Sequence, residues 1–243
     1  MSRLDTLTVK LFADSADLED IRRARANPLI KGFTTNPTLM RKAGVDDYEV
    51  FARQVLEAVG DLPVSLGITA DDFPEMVREA RTLAGWAPNV NVKIPVTDTH
   101  GRFSGPVIHE LSHSGIVVNV TAVMTCAQLA SVAEALAVDT PAIVSVFAGR
   151  IADTGVDPVP TMRAFHQMFA ERPNARLLWA SPREVLNIFQ ADEAGCHIVT
   201  ATADILTKLP LVGKDLEVFS RETVVMFHRD ARSSRYEIEP AVA

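Results

Sequence analysis

One lysine stands inside a segment that reads as a β-strand, Val90-Asn91-Val92-Lys93-Ile94-Pro95. Side chains alternate between the two faces of a strand, so Lys93 lies on the face opposite the three aliphatic residues. The aliphatic face must pack against helices, and Lys93 is therefore expected to point into the interior. A lysine there either pairs with a carboxylate or loses its proton. An uncharged amine attacks carbonyl carbons, which makes Lys93 a candidate for Schiff-base chemistry. A solvated edge-strand lysine and a Lys–Asp pair without chemistry are the structural alternatives.

Two further groups of residues fit that chemistry. Asp14 follows an apolar segment near the start of the chain, where a carboxylate is placed to exchange a proton with a substrate hydroxyl. A turn or helix-capping aspartate is the alternative. Arg150, Ser181 and Arg183 offer two guanidinium groups and a hydroxyl, which suit a phosphate monoester. Their alternative is surface arginines near helix starts, although the helix dipole disfavours a positive charge there.

The elements that must position these residues alternate along the chain. Short apolar segments predict strands at 9–13, 30–34, 63–68, 90–94, 116–120, 142–147, 176–180 and 197–201. Amphipathic stretches predict helices at 17–26, 48–59, 71–83, 106–114, 126–136, 160–169, 183–192 and 203–209, with one more at 215–230. Repeated βα units in 243 residues predict an α/β fold, a (β/α)8 TIM barrel with an extra C-terminal helix.

A doubly wound open sheet is the competing architecture. It usually carries a glycine-rich loop after the first strand, and residues 13–17 contain no glycine. No linker-like composition divides the chain, so one domain over 1–243 is expected.

In a barrel the functional groups gather at the C-terminal strand ends. The polar residues predicted to meet there are Asp14, Thr34, Thr35, Asn36, Lys93, Asn119, Thr121, Ser145, Arg150, Ser181 and Arg183.

Composition excludes several other classes of protein. The net charge of −7 argues against a nucleic-acid-binding surface, whereas a local basic spot fits a phosphorylated metabolite. Two cysteines without metal-type spacing and no signal-peptide pattern predict a reduced, cytoplasmic protein. No apolar run reaches the roughly 18 residues that a membrane span needs. His109 and His113 are four residues apart without a zinc-protease pattern and are interpreted as surface residues, so no metal is expected.

Motifs in these segments resemble the transaldolase family of class I aldolases, in particular its short bacterial branch that includes fructose-6-phosphate aldolases. The matching motifs are Thr34-Thr35-Asn36-Pro37, Val92-Lys93-Ile94-Pro95, Asn119-Val120-Thr121, Ser145-Val146-Phe147-Ala148-Gly149-Arg150 and Ala180-Ser181-Pro182-Arg183. Their order and spacing are those of the family. The Thr-Thr-Asn-Pro and Lys-Ile-Pro motifs together are highly specific.

The resemblance implies roles for individual residues. Lys93 would form the Schiff base with a ketose phosphate, Asp14 would take the proton of the C4 hydroxyl, and Thr121 would hold the catalytic water. The residues implied to hold the dihydroxyacetone unit and the phosphate are Thr34, Asn36, Asn119, Ser145, Arg150, Ser181 and Arg183. The implied substrates are fructose 6-phosphate, sedoheptulose 7-phosphate, erythrose 4-phosphate and glyceraldehyde 3-phosphate, in the pentose phosphate pathway. No cofactor is implied, and short relatives often form homo-oligomers.

Two positions refine this expectation. Phe147 stands where relatives that only split fructose 6-phosphate typically have tyrosine, which favours transfer. Gly67 stands where the family usually has Glu or Gln to orient the catalytic water. Losing a general acid or base commonly costs about 10²–10⁴ in rate, so slow turnover or a shifted substrate is expected. A Schiff-base aldolase for another sugar phosphate and a non-catalytic sugar-phosphate-binding protein are the alternatives.

Overall fold

The computed structural model describes residues 3–170 and 172–234. They fall into two units, a barrel unit of residues 7–208 and a terminal unit made of the residues up to 6 and from 209 onward. The single domain over 1–243 stays a prediction. Among the helices of these described ranges, none has the length and apolar character that crossing a bilayer requires.

Eight parallel strands close the barrel in sequence order, with the last strand paired to the first. The strands are β1 (Lys10–Asp14), β2 (Ile30–Thr34), β3 (Val64–Gly67), β4 (Val90–Pro95), β5 (Val118–Val123), β6 (Ala142–Val146), β7 (Ala175–Trp179) and β8 (Ile198–Ala201). The predicted (β/α)8 fold is confirmed, and the closure excludes the open sheet. Strand bounds agree with the prediction within one residue at either end, except for β5, which lies further along the chain.

Helices connect successive strands. They are α1 (Leu18–Arg25), α2 (Pro37–Lys42), α3 (Tyr48–Val59), α4 (Phe73–Ala84), α5 (Gly105–His113), α6 (Cys126–Ala135), α7 (Ala148–Asp153), α8 (Pro158–Met168), α9 (Leu186–Glu193) and α10 (Ala203–Leu206). Side-chain caps start several of them: Asp17 accepts from the backbone N–H groups of Glu19 and Asp20, and Thr125 forms a capping box with Gln128. The six-residue helices α2 and α7 were not predicted, because helices this short carry almost no periodicity.

The middle of the barrel lumen is filled by one apolar cluster. It contains Phe12, Ile143, Leu178, Ala180 and Ile198, with Phe147 packed against it. Gly32 of β2 lies against the Phe12 ring, since a Cβ built there would stand 2.4 Å from Phe12 Cζ. The opposite strand faces carry buried aliphatic residues that pack against the helices, as the near-continuous apolar strands predicted.

The terminal unit contains a 3₁₀ turn at Arg3–Thr6, another at Leu209–Leu211 and the helix α11 (Leu216–Ser233). This helix confirms the predicted C-terminal extra helix, and Asp215 caps it by accepting from the backbone N–H of Val218. Several of its apolar side chains are exposed, Phe227 to 63%.

Candidate active site

A pocket of about 540 Å³ opens at the C-terminal ends of the strands. The (β/α)8 architecture places functional groups at this end, because the loops that follow each strand meet there. Nine of the ten sequence-predicted site residues line the pocket, all except Asn119. The nine are Asp14, Thr34, Asn36, Lys93, Thr121, Ser145, Arg150, Ser181 and Arg183.

Lys93 points into the lumen from β4, as strand alternation predicted. Its Nζ donates a hydrogen bond to the backbone carbonyl of Thr35 at 2.8 Å. Burial lowers the pKa of Lys93, and the negative charge of Asp14 opposes that effect. Burial also raises the pKa of Asp14, while Lys93 and two hydrogen bonds lower it. Burial therefore disfavours the charged form of both groups, which makes an uncharged amine accessible to a substrate carbonyl.

Asp14 is held by the end of β2. Thr34 Oγ1 donates to Asp14 Oδ1 at 2.7 Å, and Asn36 Nδ2 donates to Asp14 Oδ2 at 3.1 Å. The Asn36 amide oxygen also caps α2 by accepting from the backbone N–H of Leu39. Thr34 and Thr200 hydroxyls lie 2.6 Å apart, and the single proton of Thr34 is committed to Asp14, so Thr200 must donate. Both carboxylate oxygens are thus fixed in orientation.

Asn119 lies behind the pocket wall on β5. Its Nδ2 donates to Ser65 Oγ at 2.9 Å, and its Oδ1 accepts from Ser145 Oγ at 2.6 Å. All three side chains are buried. The structure therefore places Asn119 as the link between Ser65 and Ser145, and Ser145 rather than Asn119 lines the pocket.

Thr121 on β5 and Gly67 on β3 both line the pocket. Thr121 Oγ1 is buried and has no hydrogen-bond partner among the described residues. The register of β5 against β6 is irregular between Val120 and Val123, and Ala122 there has a positive φ of 66°. A β-bulge of this kind re-aims neighbouring side chains and is frequent beside active sites. A Cβ built on Gly67 meets only Lys93 Cβ, at the ordinary contact distance of 3.9 Å, so a side chain can begin there without a clash.

The rim beyond β6 and β7 carries the two arginines. The guanidinium of Arg150 lies over the Phe147 ring, 5.6 Å from its centroid. The chain after β7 approaches α7 so closely that a Cβ on Gly149 would stand 1.5 Å from the carbonyl oxygen of Ser181. Glycine at 149 thus brings Ser181 next to α7. Arg183 forms a bidentate ion pair with Asp153, Nε lying 3.0 Å from Oδ1.

Sequence reasoning missed three contributors to this site. They are the Thr35 carbonyl, the Thr200 hydroxyl and the Asp153 carboxylate. Strand alternation was the available signal for Thr200, which shares the lumen face of β8 with Ile198. No sequence signal identifies Asp153 as the partner of Arg183, since the two residues lie on different elements.

Known proteins match this chain over most of its length. The sequence profile described as Transaldolase/Fructose-6-phosphate aldolase matches residues 11–239. A probable transaldolase 2 of Listeria monocytogenes is 34% identical over 88% of this chain and 95% of its own length. A probable transaldolase of Methanococcus maripaludis is 36% identical over 87% of this chain and 95% of its own. A solved Burkholderia cenocepacia structure, described as a candidate phosphonomutase, gives a TM-score of 0.55 at 12% identity, over 93% of this chain and 96% of its own.

The Burkholderia likeness concerns the barrel fold alone. The fold and the pocket show a (β/α)8 barrel with polar groups at the C-terminal ends of its strands. The sequence matches show which protein family this barrel belongs to. The chain belongs to the transaldolase/fructose-6-phosphate aldolase family and is an enzyme of the aldolase and transaldolase type.

Proposed function

We propose that the protein is a transaldolase that moves a dihydroxyacetone unit between sugar phosphates through a Schiff base on Lys93. The observation that carries this proposal is the Lys93 amine in a pocket that also holds Asp14, close enough for its charge to act on the amine, and two arginines at its rim. Donors of the unit would be fructose 6-phosphate and sedoheptulose 7-phosphate. Acceptors would be erythrose 4-phosphate and glyceraldehyde 3-phosphate, as in the pentose phosphate pathway.

Each proposed step uses a group in the pocket. Uncharged Lys93 Nζ attacks the ketone carbon, water leaves, and an iminium forms. Asp14 takes the proton of the C4 hydroxyl, the C3–C4 bond breaks, and its electron pair moves onto the iminium as an enamine. The aldose phosphate leaves, and the enamine carbon bonds to the aldehyde carbon of the second sugar while Asp14 returns its proton to the new C4 hydroxyl oxygen. Hydrolysis of the new iminium then releases the product ketose and the free amine.

Orientation of the sugar comes from the hydroxyl and amide groups around the amine. Thr34, Asn36 and Ser145 line the pocket beside Lys93 and are proposed to hold the dihydroxyacetone hydroxyls. Asn119 is proposed to act behind them, because its hydrogen bond orients Ser145. Arg150, Ser181 and Arg183 are proposed to bind the phosphate. For Arg183 this requires exchanging the Asp153 carboxylate for phosphate oxygens.

Thr121 is proposed to hold the catalytic water, because its buried hydroxyl has no protein partner within the described ranges. Gly67 leaves that water without a carboxylate. Thr69 does not replace it, since its hydroxyl donates to Glu79 at 2.9 Å. The hydroxyl of Ser65 already accepts from Asn119. Proton exchange with the water is therefore the step expected to be slow.

Trapping with borohydride tests the proposal directly. The protein is incubated with fructose 6-phosphate, reduced, and examined by intact mass and peptide mapping. A dihydroxyacetone adduct on Lys93 is expected. A sugar-phosphate-binding protein without catalysis would give no adduct, and that outcome would overturn the proposal.

An aldolase that releases dihydroxyacetone is the second candidate function. A coupled assay with and without erythrose 4-phosphate separates the two. A transaldolase turns over only with the acceptor, whereas an aldolase releases dihydroxyacetone without it. Phe147 lines the pocket with no hydroxyl to activate water, which supports transfer.

Assembly and location belong to the same proposal. We propose a homo-oligomer, supported by the exposed apolar side chains Leu216, Val224, Val225 and Phe227 of α11. A cytoplasmic location is proposed because the substrates are cytoplasmic metabolites in this family. Neither nucleic acid nor membrane is proposed as a partner.

A further inference from the structure

A second cavity, the lower cavity, lies at the N-terminal ends of the strands. Its volume is about 860 Å³, against about 540 Å³ for the pocket around Lys93. Basic residues of three different strands line it: Lys10 of β1, Lys31 of β2 and Arg176 of β7. No aspartate or glutamate of the described ranges lines it. In a protein with a net charge of −7, this is a local concentration of positive charge.

Two of the cations belong to the barrel lumen itself. Lys10 shares a strand face with Phe12, and Arg176 shares one with Leu178. Phe12 and Leu178 are both members of the apolar cluster in the lumen. The lumen of a (β/α)8 barrel is normally filled with layers of branched apolar side chains. In this protein the lumen positions on the N-terminal side of the apolar cluster hold Lys10 and Arg176, and these side chains line the lower cavity instead of filling it.

The positive charges of Lys10, Lys31 and Arg176 have no neutralising carboxylate in the part of the chain that the structure describes. Among the described residues, no carboxylate lies within ion-pair distance of Lys10, Lys31 or Arg176. Asp192 lies close enough to Cys196, at the cavity wall, for its charge to help raise the thiol pKa. Its Oδ1 is already engaged by three donors, the backbone and hydroxyl of Thr8 and the backbone of Val9.

Two neutral donors complete the lining. His197 Nδ1 accepts from the backbone N–H of Leu177 at 3.1 Å, so the neutral ring carries its proton on Nε2. Burial lowers the pKa of His197, and the charges of Arg176, His166 and Lys10 lower it further. Asn91 faces the lumen two residues before Lys93, is 8% exposed, and lines the lower cavity.

Asn91 has an unmet hydrogen-bonding requirement. Its Nδ2 is buried and has no partner among the described residues. Buried donors without a partner are rare in proteins, and a bound ligand or water molecule would supply the missing acceptor. Asn91 lines the lower cavity, so this amide is placed beside any ligand bound there.

We propose that the lower cavity is a second binding site, separate from the Lys93 pocket, for a small organic phosphate. The phosphate contacts Lys10 and Arg176, with Lys31 and the Asn91 amide as further donors. The carbon part rests on the apolar floor that Phe12, Ile143 and Ile198 provide. The apolar cluster separates this site from the Lys93 pocket, so the inference does not depend on the proposed function.

Calorimetric titration with phenyl phosphate tests the inference on the full chain. This probe carries one phosphate and one apolar ring and has no carbonyl to react with Lys93. The background is the double variant Arg150→Ala/Arg183→Ala, which removes the phosphate contacts proposed for the Lys93 pocket. One binding event is expected to remain in this background. Phenol, which lacks the phosphate, is expected not to bind.

Variants in the lower cavity then locate that event. Adding Arg176→Ala or Lys10→Ala is expected to weaken phenyl phosphate binding about tenfold or more, as loss of a charge-assisted hydrogen bond predicts. Arg163→Ala is the matched control, because this exposed arginine of α8 does not line the cavity. Asn91→Leu, nearly equal in size, is expected to weaken binding a few-fold without loss of fold.

Two results would overturn the inference. One is the loss of all phenyl phosphate binding in the Arg150→Ala/Arg183→Ala background. The other is residual binding that Arg176→Ala and Lys10→Ala change no more than Arg163→Ala does. Neither result bears on the borohydride adduct at Lys93, so failure of this site and failure of the proposed function are distinguishable.

Discussion

The two ends of the barrel lumen both carry a lysine on the lumen face, and they differ in what surrounds it. Lys93 at the C-terminal end is largely buried, hydrogen-bonded to a backbone carbonyl and close to Asp14. Lys10 at the N-terminal end is exposed, near Arg176 and without a carboxylate partner among the described residues. Burial favours an uncharged nucleophile at Lys93 even though the Asp14 carboxylate opposes it, whereas grouped exposed cations favour binding an anion. The surroundings of a lysine, and not its residue type, decide which chemistry it offers.

Replacing Lys93, the buried lysine, is expected to give the largest change in activity and tests the difference between the two ends of the lumen. Lys93→Met is expected to abolish the borohydride adduct and to lower turnover by on the order of 10⁴-fold or more, since the nucleophile itself is lost. Intact mass and the coupled assay measure both effects. Lys208→Met, an exposed lysine outside both cavities, is the control. An adduct mapped to Lys10 instead of Lys93 would break the comparison.

Neutralising the carboxylate separates its role from that of the amine. Asp14→Asn keeps the shape and one oxygen that can accept from Thr34, but its amide NH2 cannot accept from Asn36, and the side chain cannot take the C4 hydroxyl proton. Turnover is expected to fall about 10²–10⁴-fold, with the adduct still formed by a substrate that needs no bond cleavage, such as dihydroxyacetone. Undiminished turnover would show that Asp14 is not the base. Asp61→Asn is the control variant, because it makes the same change of charge at an exposed position.

Supplying the missing side chain at Gly67 tests whether a carboxylate limits the rate. Gly67→Glu has room beside Lys93, where a Cβ meets only Lys93 Cβ at 3.9 Å. Turnover is expected to rise about 10²-fold, the lower end of what one general acid or base contributes. Gly67→Met fills similar space without a carboxylate and is expected to give no rise. If Gly67→Glu gives none either, the absent carboxylate is not what limits the enzyme.

The pH dependence of trapping reports on the charge beside the amine. Asp14 raises the pKa of Lys93 against the lowering effect of burial, so Asp14→Asn should lower that pKa further. The amine then stays uncharged to lower pH. In the Asp14→Asn variant the acid limb of the trapping rate with dihydroxyacetone is expected to shift to lower pH. A shift upward, or none, would mean that Asp14 does not act on Lys93 electrostatically.

Breaking the ion pair between Arg183 and Asp153 is expected to give the smallest change in activity. The Arg183–Asp153 pair is half-exposed, and such pairs contribute about 0–1 kcal/mol. Asp153→Asn removes a negative charge that competes with the substrate phosphate. The KM for fructose 6-phosphate is expected to fall about two- to fivefold while kcat stays unchanged. A rise in KM would instead indicate that Asp153 holds Arg183 in its binding position.

The site shows where sequence reasoning is sufficient and where it is not. Lys93 and Asp14 were predicted because strand alternation and strand ends are local properties that the sequence encodes directly. The residues that orient them are set by long-range contacts: Thr200 on β8 reaches Thr34 on β2, and Thr35 offers only its backbone carbonyl. Asn119 was predicted to contact substrate, which stays a prediction; the structure buries it between Ser65 and Ser145, both on other strands.

The amino-acid sequence alone specified the alternation of apolar strands and amphipathic helices, because hydrophobic periodicity is a local property of the chain. It also determined which residue types stand at the strand ends. The tertiary structure decided the short helices α2 and α7, the bulge at Ala122, the Arg183–Asp153 pair and the lower cavity. These features depend on closure of the barrel, which sets distances between residues far apart in the chain.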